Sequence, residues 1–208
     1  MGIDLHQLKS HLWNCAEILR GSAVDRTDWK AYILPLLFFK RISDVWDEET
    51  AEATELFGDI NPVDFPELHR FTVPEGCHWR DVRETPTNLG AALSRAMREI
   101  ERANPDTLYR VFGAADWGNR DMLSDESLKD LIEGLSEVPL GNGTASSDIL
   151  GDAYEYLVGK FADVTRRNKA GEFYTPRSVV KMMVEIRCFF RQVLLSRGPS
   201  ARLETEKT

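Results

Sequence analysis

The chain has 208 residues, a formal charge of −8 and 42% hydrophobic residues, enough to bury a core without a metal or disulfide staple, since a domain of this length removes roughly 70% of its unfolded surface from water. Cys15, Cys77 and Cys188 are widely spaced, which excludes a disulfide framework and a zinc site built on short paired spacings; Cys77-His78 is adjacent rather than metal-spaced. No apolar run reaches the roughly 18 residues of a membrane span, and Met1-Gly-Ile-Asp-Leu-His matches neither a secretory signal nor a myristoylation start, so the expected compartment is the cytoplasm.

The first helix is expected from Asp4 to Leu19, where Leu5, Leu8, Leu12, Cys15, Ala16 and Leu19 recur at helical spacing and Gly21 follows as a stop. Trp13 beside this stripe reads as a packing anchor, and His6 and His11 as surface or boundary residues. A longer segment opens at Thr27-Asp28 and runs toward Glu55 through Trp29, Ile33, Leu36, Leu37, Ile42, Val45 and Trp46. Its wide apolar face makes it the central helix. Pro35 lacks an amide proton and crowds the preceding turn, costing about 3 kcal/mol in a helix interior, so a kink or break is expected at Leu34. Lys40 and Arg41 read as the solvated edge of this helix in preference to a nucleic-acid contact. Asp47, Glu48, Glu49 and Glu52 read as a solvated acidic face in preference to catalytic carboxylates.

Prolines at 62, 66, 74 and 86, with short runs at Arg70–Val73 and His78-Trp79, predict a loop region carrying a small β-hairpin or short strands between about 70 and 80, plugged onto the helices by Trp79. Asn88 is expected to cap a helix that ends at Ala103, with Leu89, Ala92, Leu93, Ala96, Met97 and Ile100 inward and Asn104-Pro105 as the stop. Leu108–Phe112 predicts a short helical or extended link. Ser124 precedes a helix bearing Leu128, Leu131, Ile132 and Leu135, its end weakened by Gly134. Gly141–Ser147 is a linker short enough to be a helix connection.

Asp148 is the expected cap of the next helix, whose apolar face is Ile149, Leu150, Ala153, Tyr154, Leu157 and Phe161; of Tyr154 and Tyr156, at most one belongs to the core. A polar break from Thr165 to Ala170 leads to Gly171. Thr175 is placed to cap a last helix, for about 1 kcal/mol, with Pro176 at its first position and Val179, Val180, Met183 and Ile186 as a buried stripe. The fold class expected is mainly α: a multi-helix amino-terminal domain with the small hairpin and no complete Rossmann-like sheet.

Charge divides unevenly along this order. Before Lys160 there are 15 Lys and Arg against 29 Asp and Glu; from Lys160 on there are 11 against 5. Nonspecific DNA affinity comes from Lys and Arg displacing counterions, so an acidic body repels phosphate. Any direct DNA contact is expected at Arg166, Arg167, Lys169, Arg177 and Lys181.

The runs Leu12-Trp13, Leu34-Pro-Leu-Leu-Phe-Phe-Lys-Arg-Ile-Ser-Asp-Val45, Asp148-Ile-Leu-Gly-Asp-Ala-Tyr-Glu-Tyr-Leu157 and Gly171-Glu-Phe-Tyr-Thr-Pro176 together resemble the modification subunit (HsdM) of type I restriction-modification systems. The resemblance extends to Ile186. It implies a DNA adenine N6-methyltransferase that uses S-adenosylmethionine and works with a specificity subunit and a second modification subunit, reaching DNA mainly through that complex. It also assigns Gly171, Phe173, Tyr174, Thr175 and Pro176 to the cofactor side of the catalytic domain, with Phe173 and Tyr174 as stacking surfaces. The domains expected are 1–165, helical; 166–186, the start of the methyltransferase domain; and 187–208, an atypical tail.

Two family features have no match. The Asn-Pro pairs Asn61-Pro62 and Asn104-Pro105 do not continue as Asn-Pro-Pro-aromatic, and Gly141-Asn-Gly143 follows no convincing strand. After Ile186 the sequence departs from the family. The expectation is that the chain alone is catalytically inactive and binds no S-adenosylmethionine. Gly-x-Ser-x-Gly, Walker and His-Glu-x-x-His motifs are also missing, so no catalytic or metal residue is assigned. The competing reading is an acidic interaction or regulatory module not involved in methylation, and a third is direct DNA binding through the basic residues just named.

Overall fold

The computed structural model describes residues 4–58 and 66–168, with residue 179 and residues 182–185. The chain divides into two compact units, Met1–Ala170 and Gly171–Thr208. Unit 1 is a helical body. Helix α1, Leu5–Glu17, opens where the Asp4 carboxylate accepts the N–H groups of His6 and Gln7, each at 3.1 Å, and closes into a 3-10 turn at Ile18–Gly21. An acceptor there satisfies amides that the first turn leaves unpaired. Leu8, Leu12, Cys15, Ala16 and Leu19 are buried, as their spacing requires.

Helix α2, Trp29–Phe57, is continuous through Pro35. The expected break at Leu34 does not occur. Pro35 is buried with Ile33, Leu36 and Leu37, so packing on both sides holds the helix across the missing bond. Ala31, whose carbonyl would have met the Pro35 amide, is exposed to solvent that can take the bond. Burial of each large apolar side chain on this helix contributes about 1.5 to 3 kcal/mol, which offsets the cost of the proline.

Helix α3, Trp79–Arg83, occupies ground where strands were expected. Among the described residues there is no strand or sheet, and the predicted hairpin between 70 and 80 is replaced by an irregular stretch followed by α3. The reason lies in Asn104. Its carboxamide accepts the Thr72 N–H at 2.9 Å and donates to the Thr72 carbonyl at 2.8 Å, as a neighbouring strand would, and donates also to Ile100 O at 2.8 Å. Glu49 accepts the Arg70 N–H at 2.9 Å. These peptide groups are therefore satisfied without a second strand. Trp79 does anchor the stretch: it is buried, lies 5.3 Å from the Phe39 ring, and donates from its indole to Ser136 Oγ at 2.8 Å.

Helix α4, Leu89–Ala103, follows Asn88, whose φ of 56° is left-handed and whose side chain accepts from Arg120 in place of capping the helix. A Cβ on Gly90 would overlap the Trp117 carbonyl. The turn-rich link between α4 and α5 is thus packed directly on this helix, with Leu108, Phe112, Trp117 and Leu123 buried. Helix α5, Asp125–Ser136, is capped by Ser124 as expected. Helix α6 runs Ser147–Asn168, and its cap is Ser146, whose Oγ accepts Ile149 N–H at 3.4 Å; Asp148 already lies inside the helix. Ala153, Leu157 and Phe161 are buried, while Tyr154 and Tyr156 are both half-buried. The core of the body is one cluster drawn from α1 to α6.

In the second unit, the described residues Val179 and Met182–Glu185 are helical. Val179 and Met183, expected in a buried stripe, are exposed. Periodicity specifies a face, and burial needs an opposing surface that the described residues of this unit do not supply.

Candidate functional site

Arg166 and Arg167 fall in the last turn of α6. Lys169, Gly171, Phe173, Tyr174, Thr175, Pro176, Arg177 and Lys181 lie outside the described residues. The structure instead defines what precedes them: the loop 140–145 and the start of α6, both fixed to α2.

Arg41, Asp44 and Glu48 lie on one stripe of α2 and grip this loop. The Arg41 guanidinium donates to the carbonyls of Leu140 and of Ala145, the latter at 3.1 Å, and to Asn142 Oδ1. Asp44 accepts the Leu140 N–H at 2.6 Å and pairs with Lys40. Glu48 accepts the amides of Asn142 and of Gly143, the latter at 3.2 Å. A Cβ on Gly141 would overlap the Glu48 carboxylate, so glycine is what lets the loop close on it. Burial pulls the Arg41 pKa down, and Arg70 adds to that, while Glu48, Asp44 and Glu49 oppose it. The guanidinium stays charged and its planar fork serves several acceptors at once.

Two expectations are corrected here. Lys40 is 5% exposed, with its ammonium on Asp44, and Arg41 is committed to the loop; neither is a solvated edge. Glu48 and Glu49 bind backbone amides and are not merely a solvated face. A signal was present in the sequence: Arg41, Asp44 and Glu48 share a helix face at i, i+3 and i+7, and the glycine-rich linker offers unpaired amides. Nothing in the sequence said that the two meet.

Helix α6 packs on α1, where the rings of Trp13 and Phe161 are 6.0 Å apart, and on α2, where Phe38 and Tyr154 are 5.6 Å apart. Trp13 is the packing anchor its position suggested. Lys160 lies over both Trp13 and Tyr156, at 5.7 and 5.5 Å from the ring centroids, and Lys9 lies 5.8 Å from that of Tyr156. His11, read as a boundary residue, links α1 to α5 through Gly134 O at 2.8 Å.

A cradle for S-adenosylmethionine is built from a strand and a glycine turn whose backbone approaches the ligand. The described residues form no strand, and the residues that the resemblance assigns to the cofactor side lie outside them. Among the described residues no cluster of His, Cys, Asp or Glu could hold a metal ion, and no helix is long and apolar enough to cross a membrane.

The family described as HsdM N-terminal domain matches residues 8–135, and the family described as N-6 DNA Methylase matches residues 145–192. The chain is 25% identical to the type I restriction enzyme MjaIX methylase subunit of Methanocaldococcus jannaschii, over 86% of this chain and 35% of that protein. It is 22% identical to the MpnII methylase subunit of Mycoplasma pneumoniae, over 86% and 39%. It is 29% identical to the MjaVIII methylase subunit of M. jannaschii, over 80% and 30%. It thus spans about a third of the length of these curated relatives. In fold it resembles the crystal structure of the type I restriction-modification system methyltransferase subunit from Streptococcus thermophilus, with a TM-score of 0.60 at 24% identity, covering 88% of this chain and 44% of that one.

Proposed function

This chain belongs to the HsdM N-terminal domain family, and from that premise we propose that its body serves subunit assembly and DNA clamping in a type I restriction-modification methyltransferase. The partners proposed are a specificity subunit and a second modification subunit. The observation that carries the reading is the joint between α2 and the loop 140–145. The first family match ends at residue 135 and the second begins at 145, and the connection between them is held by Arg41, Asp44 and Glu48. A body so fastened sets the position from which the methylase-related sequence departs along α6.

Residues 1–165, 166–186 and 187–208 are proposed as body, catalytic-domain start and tail. In the intact enzyme S-adenosylmethionine supplies the methyl group. Gly171, Phe173, Tyr174, Thr175 and Pro176 are proposed to line its side of the site, where a helix N-terminus favours a carboxylate. No transfer is assigned to this chain alone, because the Asn-Pro-Pro-aromatic run that accepts the adenine amino group in the family has no match in its sequence.

Copurification tests the assembly reading. The chain should co-elute with a type I specificity subunit, and should do so less well when the residues after Lys160 are removed; failure of the complete chain to co-elute rejects it in favour of an independent acidic module. DNA contact has its own test. Reversing the charges of Arg166, Arg167, Lys169, Arg177 and Lys181 should abolish a salt-sensitive gel shift, and an unchanged shift removes these residues from the interface.

A further inference from the structure

Between α4 and the link that follows it lies a pocket of about 250 Å³, with Ser94, Arg98 and Glu101 of the helix on one side and Gly113, Ala114 and Ala115 of the link on the other. Met97, Phe112 and Trp117 complete the lining, and all three are buried, so the pocket has an apolar base. Its walls are set before anything binds. Glu101 accepts the Phe112 N–H at 3.1 Å, and Gly113 donates to Arg110 O at 3.2 Å, in a turn where Arg110 and Gly113 both have left-handed backbone, at φ 56° and 68°. A residue such as Arg110 holds that conformation only where its surroundings fix it.

Two side-chain donors in this lining are unspent. The Arg98 guanidinium donates from Nε to its own helix, to Ser94 O at 3.0 Å, and enters no ion pair among the described residues, whereas Arg102, one turn on, is paired with Glu99. Trp117 is 4% exposed and its ring is fixed edge-on to Tyr32, at 5.2 Å and 80°. Its indole N–H enters no hydrogen bond among the described residues, yet it is not sealed from water. A buried donor is ordinarily paired, and this one belongs to a residue that lines the pocket.

We infer that this pocket receives one carboxylate side chain of a protein partner, held by the Arg98 guanidinium and the Trp117 indole N–H. The donors select the ligand. Guanidinium and indole can only donate, so the group they take is an acceptor, and the full charge on Arg98 favours an anion. Size selects its source: sites for small molecules and cofactors run from about 300 to 1,000 Å³, and a single side chain fits in less. Glu101 in the same lining, and a body with 29 acidic against 15 basic residues before Lys160, repel a run of phosphates. One carboxylate brings one charge only. The inference rests on the assembly reading and names a surface and the partner's chemistry there. Peptide binding and co-elution are measured separately, so either can fail while the other holds.

The test follows the Trp117 indole N–H by NMR in the whole, nitrogen-labelled chain, where Trp117→Phe identifies its signal among the five tryptophans. The peptide acetyl-Gly-Glu-Gly-amide, added to roughly 10 mM to cover the affinity of a single side chain, should move that signal downfield and saturate. The matching glutamine peptide should leave it in place. Arg98→Gln should weaken the response to the glutamate peptide about tenfold, the loss expected for charge-assisted hydrogen bonds. Arg98 is exposed, so the variant should melt with the wild type. An unmoved signal, an equal response to the glutamine peptide, or unchanged affinity in the variant each overturns the inference. A larger shift from a single-stranded oligonucleotide at the same concentration overturns it as well and assigns the pocket to phosphate.

Discussion

Two irregular segments lie along α2, and they are fastened to it by opposite chemistry. Residues 69–78 are held chiefly by burial and amide pairing: the Asn104 carboxamide on both sides of Thr72, the ring cluster of His69, Trp46 and His78, and the buried Val73 and Cys77, with charged side chains adding single bonds from Glu49 to the Arg70 N–H and from Arg95 to the Gly76 carbonyl. Residues 140–145 are held by charge: a guanidinium and two carboxylates of α2 aimed at loop peptide groups, with Leu140 and Ala145 buried at the ends. The first attachment depends on burial and so resists salt but not protonation. The second depends on fork geometry and so cannot survive loss of one residue.

Arg41→Ala should give the largest effect, because it strips the Leu140, Ala145 and Asn142 acceptors together and removes the positive charge that Glu48 and Asp44 act on. A loss of about 3 kcal/mol is expected in urea melts, near the lower end for breaking a partly buried charge network. Arg41→Lys should recover only part of it, since one ammonium cannot replace a planar fork; full recovery would reduce the attachment to plain charge. On the neutral side, Asn104→Ala removes the bonds to Thr72 and to Ile100 O. That should cost about 2 kcal/mol, because the Thr72 amide is left without its partner. If the two substitutions cost the same and respond alike to salt, the contrast fails.

Periodicity made the helices legible. Leu8, Leu12 and Cys15, or Leu128, Leu131 and Leu135, could bury only by sharing a face. Long-range polar pairing was not legible. Asn104 reads as a helix stop and is one, yet its carboxamide also takes the place of a strand, and no local rule couples it to Thr72. The hairpin expectation failed there. Pro35 failed for another reason: a local cost was set against packing that is visible only once Leu36 and Leu37 are seen to be buried around it. At the site, the charge stripe on α2 was visible and its target was not. The family motif from Gly171 to Pro176 was the most legible functional signal, and it falls outside the described residues.

Acid should separate the two attachments next. The His78 pKa is held below its ordinary 6.5 by burial, with Asp81 opposing the effect and Arg80 and His69 adding to it. Below that ordinary value the unfolded chain takes up the proton before the folded one does. The contribution is therefore fully present above about pH 6.5 and is lost as pH falls toward the folded value. Thermal midpoints should drop on acidification in that window, and His78→Gln should flatten the slope. An unchanged slope would mean that the neutral attachment does not depend on this ring.

The smallest effect should come from the pair that most resembles Arg41 on paper. Arg83 donates to Glu133 through two parallel bonds, at 2.9 and 2.6 Å, and joins α3 to α5, but both side chains stand in solvent. The Glu133 carboxyl is held below its ordinary 4.5 by the Arg83 hydrogen bond, so whatever the pair contributes is present above pH 4.5 and fades as the carboxylate protonates below it. Water competes for every donor and salt screens the charges. Glu133→Gln at pH 7 should leave the urea midpoint within error of wild type, while Arg41→Ala shifts it plainly. A large effect at Glu133 would show that the guanidinium fork itself, and not its enclosure against a loop, is what fastens elements to one another in this body.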